Sequence, residues 1–131
     1  MVWPLMLLTP IMIRIGIHNG QVANLALSRA LEAIFRATDQ ANKYITETAP
    51  FTLAKDPAAL PRVGAVLHNL LEALRVAAQL LSPFLPDASA KIFGLLNLPA
   101  EQIRDYGRPW GKAFVPGHAV QKPQPLFPRL V

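Results

Sequence analysis

The sequence predicts an all-α fold, a helical bundle finished by an irregular, proline-rich C-terminal strap. Three observations predict it. Apolar residues recur at spacings of three and four along two long stretches, and no stretch shows the strict alternation of a strand. Each stretch stops at a proline that cannot continue a helix. After Tyr106, glycine and proline dominate, which suits a strap and not a packed element. With 131 residues the chain is long enough for one domain with a real core and too short for two of ordinary size.

Residues 1–17 are apolar but interrupted by Pro4 and Pro10. The apolar stretch before Arg14 is shorter than the roughly 20 residues a membrane-spanning helix needs. It also lacks the positive leader and small-residue cleavage pattern of a secretory signal. Residues 1–21 therefore read as an atypical apolar N-terminal segment, a misplaced or truncated start in preference to a membrane anchor, and residues 22–131 as the helical domain. From Val22 to about Glu47, one stripe of a 3.6-residue repeat carries Leu27, Leu31, Ile34, Phe35, Thr38, Ala41, Tyr44 and Ile45. Pro50 ends this helix and biases Ala49 toward extended geometry. A second helix runs from Pro57 or Leu60 to Leu81, with Asp56 as its N-cap. Its expected buried face is Val63, Val66, Leu67, Leu70, Leu71, Leu74, Ala78 and Leu81. A third helix spans residues 87–96 and buries Ile92, Phe93 and Leu96, and a short turn follows at residues 99–104. Isolated helices of this kind are marginal, so packing of the apolar stripes must supply the stability.

Hydrophobic residues make up 52% of the chain and charged residues 16%, which excludes general disorder. Thirteen Lys and Arg against eight Asp and Glu give a net charge of +5, a balance that suits a polyanionic partner. The absence of cysteine removes disulfides, thiolate zinc sites and cysteine nucleophiles. His18, His68 and His118 are fifty residues apart, so no pair has metal-ligand spacing on one helix face. Glu32, Asp39, Glu47 and Glu72 lie on helices without a paired acid in an evident cleft. No catalytic residue and no metal ligand is assigned.

The most informative run is residues 42–56. A polar helix end gives way to Pro50, Phe51 and, four residues on, Lys55 and Asp56. Such a corner turns an aromatic ring outward beside positive charge. Single-stranded RNA binds platforms of this type, because every base has a π-face and every linkage a negative charge. The candidate RNA-binding residues are Pro50, Phe51, Lys43 and Lys55. Phe51 reads otherwise as a cap on the bundle core. Lys43 and Lys55, with Arg36, read otherwise as a solvated face.

Four blocks occur in one order: Leu31-Glu32-Ala33-Ile34-Phe35 with residues 41–56, then residues 66–75, then Leu80-Leu81-Ser82-Pro83-Phe84-Leu85-Pro86, then residues 117–130 ending Lys-Pro-Gln-Pro-Leu-Phe-Pro-Arg-Leu. Together they resemble the C-terminal anticodon-binding domain of the methionyl-tRNA synthetase family, a helical bundle of the kind found in class I aminoacyl-tRNA synthetases. The resemblance implies a domain that reads the CAU anticodon of methionine tRNA in the cytoplasm, while a separate catalytic region charges the 3′ end with methionine using ATP. In the family a Pro-Trp pair helps form the anticodon surface, and Pro50 and Phe51 match it. Phenylalanine keeps the stacking face but lacks the indole N–H. Trp110-Gly111 resembles the family's Trp-Gly and is expected to pin the strap.

The family's Asn and Arg, four residues apart on a preceding helix, have no counterpart. Asn24 and Arg29 are five apart, which puts them roughly 140° apart around a helix. The missing helix predicts an apolar groove, partly filled by residues 1–17. His18-Asn19-Gly20-Gln21 echoes the family's His-x-Gly-His motif without its last histidine, and nothing resembles its Lys-Met-Ser-Lys-Ser loop. This chain therefore carries no cofactor of its own, with ATP implied for the full enzyme only. Its expected partners are the anticodon arm of methionine tRNA and a separate catalytic chain. The alternatives are a free-standing helical RNA-binding or protein-interaction module, and then a membrane-associated protein anchored by residues 1–17.

Overall fold

The computed structural model of the chain describes residues 24–127. The apolar segment 1–17, its expected place in a groove, the boundary at residue 21 and the motif at His18 lie outside them. Among the described residues, four α-helices and two 3-10 turns follow one another: α1 (Asn24–Thr48), α2 (Pro50–Leu53), a 3-10 turn (Pro57–Ala59), α3 (Leu60–Leu81), α4 (Pro86–Leu95) and a second 3-10 turn (Ala100–Arg104). The described residues contain no strand, so the chain is all-α as its periodicity requires.

The α1–α2 corner departs from the sequence expectation in one respect. Ala49 is not extended but left-handed, with φ 42° and ψ 58°. Proline at position 50 denies Ala49 the right-handed helical region. The left-handed region lets its N–H complete α1 by donating to the Ile45 carbonyl at 3.0 Å. Its own carbonyl then opens α2, accepting from Thr52 and Leu53 at 2.9 and 3.1 Å. For a residue with a Cβ that conformation costs about 1–2 kcal/mol. Beyond α2, the Asp56 carboxylate accepts the Ala58 N–H at 3.0 Å and caps the 3-10 turn that leads into α3. α4 ends as expected of a helix with a left-handed cap. Asn97 adopts φ 55°, and Leu98 N–H reaches back to the Phe93 carbonyl at 3.0 Å.

The core lies where α3, α4 and the strap meet. Ala78, Ile92, Phe93, Leu96, Leu98 and Phe114 form its buried cluster, with Leu71, Ile103, Ala113 and Leu126 packed around it. Ile34 of α1 and Val63 and Val66 of α3 are buried as well, where α1 packs on α3. The apolar stripes are wider than this contact. Leu27 and Phe35 of α1 and Leu67 and Leu74 of α3, all expected inside, are exposed, Phe35 by 56%.

Beside Val63, Val66 and Ala78, which are buried as the apolar pattern expects, α3 buries a polar set that the pattern does not suggest. Glu72, Arg75 and Gln79, at i, i+3 and i+7 on one side of the helix, are only 0%, 3% and 4% exposed. Arg75 donates from Nε and Nη2 to Glu72 Oε2 at 3.0 and 2.8 Å, and from Nη1 to Gln79 Oε1 at 2.8 Å. The other Glu72 oxygen accepts the Ala113 N–H at 3.0 Å. Gln79 Nε2 donates to the carbonyls of Gln102 and Asp105 at 2.9 and 3.0 Å. The network thus ties the strap to α3.

Phe114, not Trp110, is the strap's buried anchor. It is 5% exposed, with the His68 and His118 rings edge-on at centroid distances of 6.4 and 4.9 Å, whereas Trp110 is only half-buried. His118 Nε2 donates to the Leu96 carbonyl at 2.6 Å, and Gln121 N–H to that of Leu95 at 2.8 Å. The strap is irregular, yet through Phe114 it belongs to the core.

Removing one partner of a buried ion pair strands the other charge. Glu72→Ala is therefore expected to lower unfolding free energy by about 3–5 kcal/mol in urea titration. Ala49→Gly relieves the left-handed alanine and is expected to raise it by about 0.5–1 kcal/mol, the larger unfolded-state freedom of glycine offsetting part of the gain.

Candidate nucleic-acid interface

The four candidate residues derive from one corner. Pro50 occupies the first turn of α2, where its missing N–H is no loss, and it is buried. Its burial fixes the start of α2 against the body of the protein, α2 packing on α3. Phe51 follows immediately and is 80% exposed, the most exposed large hydrophobic side chain among the described residues. The alternative reading of Phe51 as a core cap is therefore excluded. An aromatic face held in water beside a rigid proline offers a flat apolar surface to a planar ligand.

The two lysines differ from each other. Lys55 is exposed on the turn leaving α2, its N–H donating to the Thr52 carbonyl at 3.2 Å. Lys43 lies on α1 roughly 10 Å along the helix axis before Pro50. Its ammonium is 3.7 Å from the Glu47 carboxylate in an exposed i,i+4 pair, so its charge is partly neutralised locally. Arg36 is likewise paired, with Glu32. Arg62, in the first turn of α3, is a further exposed cation that the sequence pattern does not single out.

Two features of the corner escape sequence reasoning. One is the left-handed Ala49 described above. The other is a cross-helix bond in which Asn69 Nδ2 of α3 donates to Tyr44 Oη of α1 at 3.4 Å. Tyr44 is also gripped through its backbone, its carbonyl accepting the Thr48 hydroxyl at 2.6 Å. The Asn69–Tyr44 bond joins the last turns of α1 to α3. An open groove of about 420 Å³ between α4 and the strap, lined by Lys91, Leu95, Gln121, Lys122 and Leu126 among others, shares no residue with the corner. Among the described residues, no three His, Asp or Glu side chains group so as to hold a metal ion. No helix among them is long and apolar enough to cross a membrane.

An all-α module of packed helices, strapped by its own C-terminal segment and presenting one aromatic at a helix corner, is the class these features define. The chain belongs to the family described as the anticodon-binding domain of methionyl-tRNA ligase, which matches residues 6–131. That match takes in most of the opening apolar segment. The chain is similar to methionine–tRNA ligase of Bacillus subtilis (strain 168), 39% identical over 113 residues, which covers 86% of this chain and 17% of that protein. It is also similar to the enzyme of Clostridium perfringens (strain 13 / Type A), 40% identical over 118 residues, or 88% and 18% of the two chains. A methionine–tRNA ligase 1 of Bacillus anthracis is 39% identical over 108 residues, 82% of this chain and 16% of that one. The chain thus spans about one sixth of the length of these relatives.

Because the ring of Phe51 is in water, Phe51→Ala is expected to change unfolding free energy by less than about 0.5 kcal/mol. A buried phenylalanine would cost about 3–5 kcal/mol on the same thermal or urea assay.

Proposed function

We propose that this domain docks the anticodon arm of methionine tRNA, an unpaired base stacking on Phe51 while Lys55, and more weakly Lys43, attract the neighbouring phosphates. Family membership and the exposure of Phe51 support the reading, and the exposed ring is the single observation that carries it. Pro50 serves as the fixed base from which the ring projects. The charge of +5 adds a general attraction for a polyanion. Attachment of methionine to the tRNA, with consumption of ATP, belongs to a catalytic core that these 131 residues do not contain. That core is supplied by further sequence of the same protein or by a separate chain, and the complete system operates in the cytoplasm. Within it, this domain holds one end of the tRNA so that the other reaches the reacting centre. Its contribution is positional.

Titration of a fluorescent methionine tRNA anticodon stem–loop with the chain tests the reading. Base stacking on an aromatic contributes about 1–3 kcal/mol, so Phe51→Ala is expected to weaken binding by roughly 5- to 150-fold. Log K is expected to fall with log salt by about 0.7 for each single-strand phosphate neutralised. Lys55→Gln is expected to lower that slope. Unchanged affinity in Phe51→Ala, or a salt-insensitive interaction, overturns the assignment.

A further inference from the structure

Two non-glycine residues among those described have positive φ, Ala49 and Asn97. Asn97 caps α4 and is of a type that visits the left-handed region readily. Ala49 is not, and it stands two residues before the exposed ring. We propose that Ala49 is a positioning residue for RNA docking, its left-handed backbone fixing the direction in which Phe51 is presented to a base. The inference rests on the reading of Phe51 given above.

The geometry supporting it is local and complete. The Ala49 N–H is bound to the end of α1 and its carbonyl to the start of α2, so each side of the residue is held by a helix. Pro50, whose ring fixes its own φ, is seated in the protein. Behind the hinge, the Asn69–Tyr44 bond ties the last turns of α1 to α3. With both neighbours held, the backbone dihedrals of Ala49 set the direction in which the chain carries Phe51 out of the corner. Alanine occupies a narrow well in the left-handed region because its Cβ crowds the following carbonyl. Glycine reaches the same conformation without strain, but also many others. A strained residue beside a binding element, where an unstrained one fits, is the pattern of pre-organisation: conformational freedom is removed before the ligand arrives.

The test compares the full chain with Ala49→Gly, Ala49→Asn and Phe51→Ala, reading thermal midpoint and affinity for the methionine tRNA anticodon stem–loop. Ala49→Gly is expected to raise the midpoint by about 2–5 °C while weakening RNA binding roughly 3- to 10-fold. Ala49→Asn, which keeps a Cβ and tolerates φ above zero, is expected to retain affinity within about twofold. A merely structural role predicts the higher midpoint with no loss of affinity. Wild-type affinity in Ala49→Gly, with binding lost in Phe51→Ala, overturns the positioning role and leaves the stacking platform standing. A midpoint lowered by Ala49→Gly also overturns it, because the alanine is then unstrained. Wild-type affinity in Phe51→Ala removes the platform itself and the hinge's purpose with it.

Discussion

A guanidinium shut away from water must obtain all its partners from the protein, and Arg75 obtains them from two side chains of its own helix. Glu72 neutralises it through two hydrogen bonds and Gln79 accepts a third. Neither helper is then satisfied within α3. Glu72 has one oxygen left over and Gln79 has its amide hydrogens; the second 3-10 turn and Asp105 supply the acceptors, and the strap supplies the donor through Ala113. Burying the arginine therefore obliges the strap to sit where it does. Phe114 and Leu98 reach the core because the backbone that carries them is held there. A purely apolar α3 would pack as well, but it would not dictate where residues 102–113 run.

The elements that follow local rules were legible in the sequence. Pro50 and Pro86 mark helix boundaries because a missing N–H and a fixed φ act on the nearest residues alone. Asp56 caps the turn before α3, and Ile92, Phe93 and Leu96 are buried as their spacing requires. The hidden polar face of α3 was not legible, because periodicity counts apolar residues and passes over Glu72, Arg75 and Gln79, whose partners lie in the strap. Burial of Phe35, Leu67 and Leu74 was overestimated for the converse reason. A stripe shows which face prefers to be covered, not how much of it a neighbour covers.

The candidate site divides in the same way. Phe51 was legible as an outward ring, since it follows a proline at a helix break. Ala49 was not, because the clash with proline excludes the right-handed helix and leaves both extended and left-handed geometries open. Which one wins depends on where α2 must lie against α3, a tertiary question. The strap's anchor turned on a similar point. Trp110 has the larger ring, yet Phe114 has the position, between two histidine edges and against α4.

The reach of the Glu72 bond bears on how this chain is born. Forty-one residues separate the carboxylate from the N–H it accepts. Synthesis runs from the N-terminus, so α3 and α4 leave the ribosome before the segment that completes their polar slot. Until Ala113 emerges, a charged seam stays hydrated and the neighbouring hydrophobes have no lid. Long-range closure of this kind is slow compared with helix formation. Cooperative locking of the helices therefore waits for the strap.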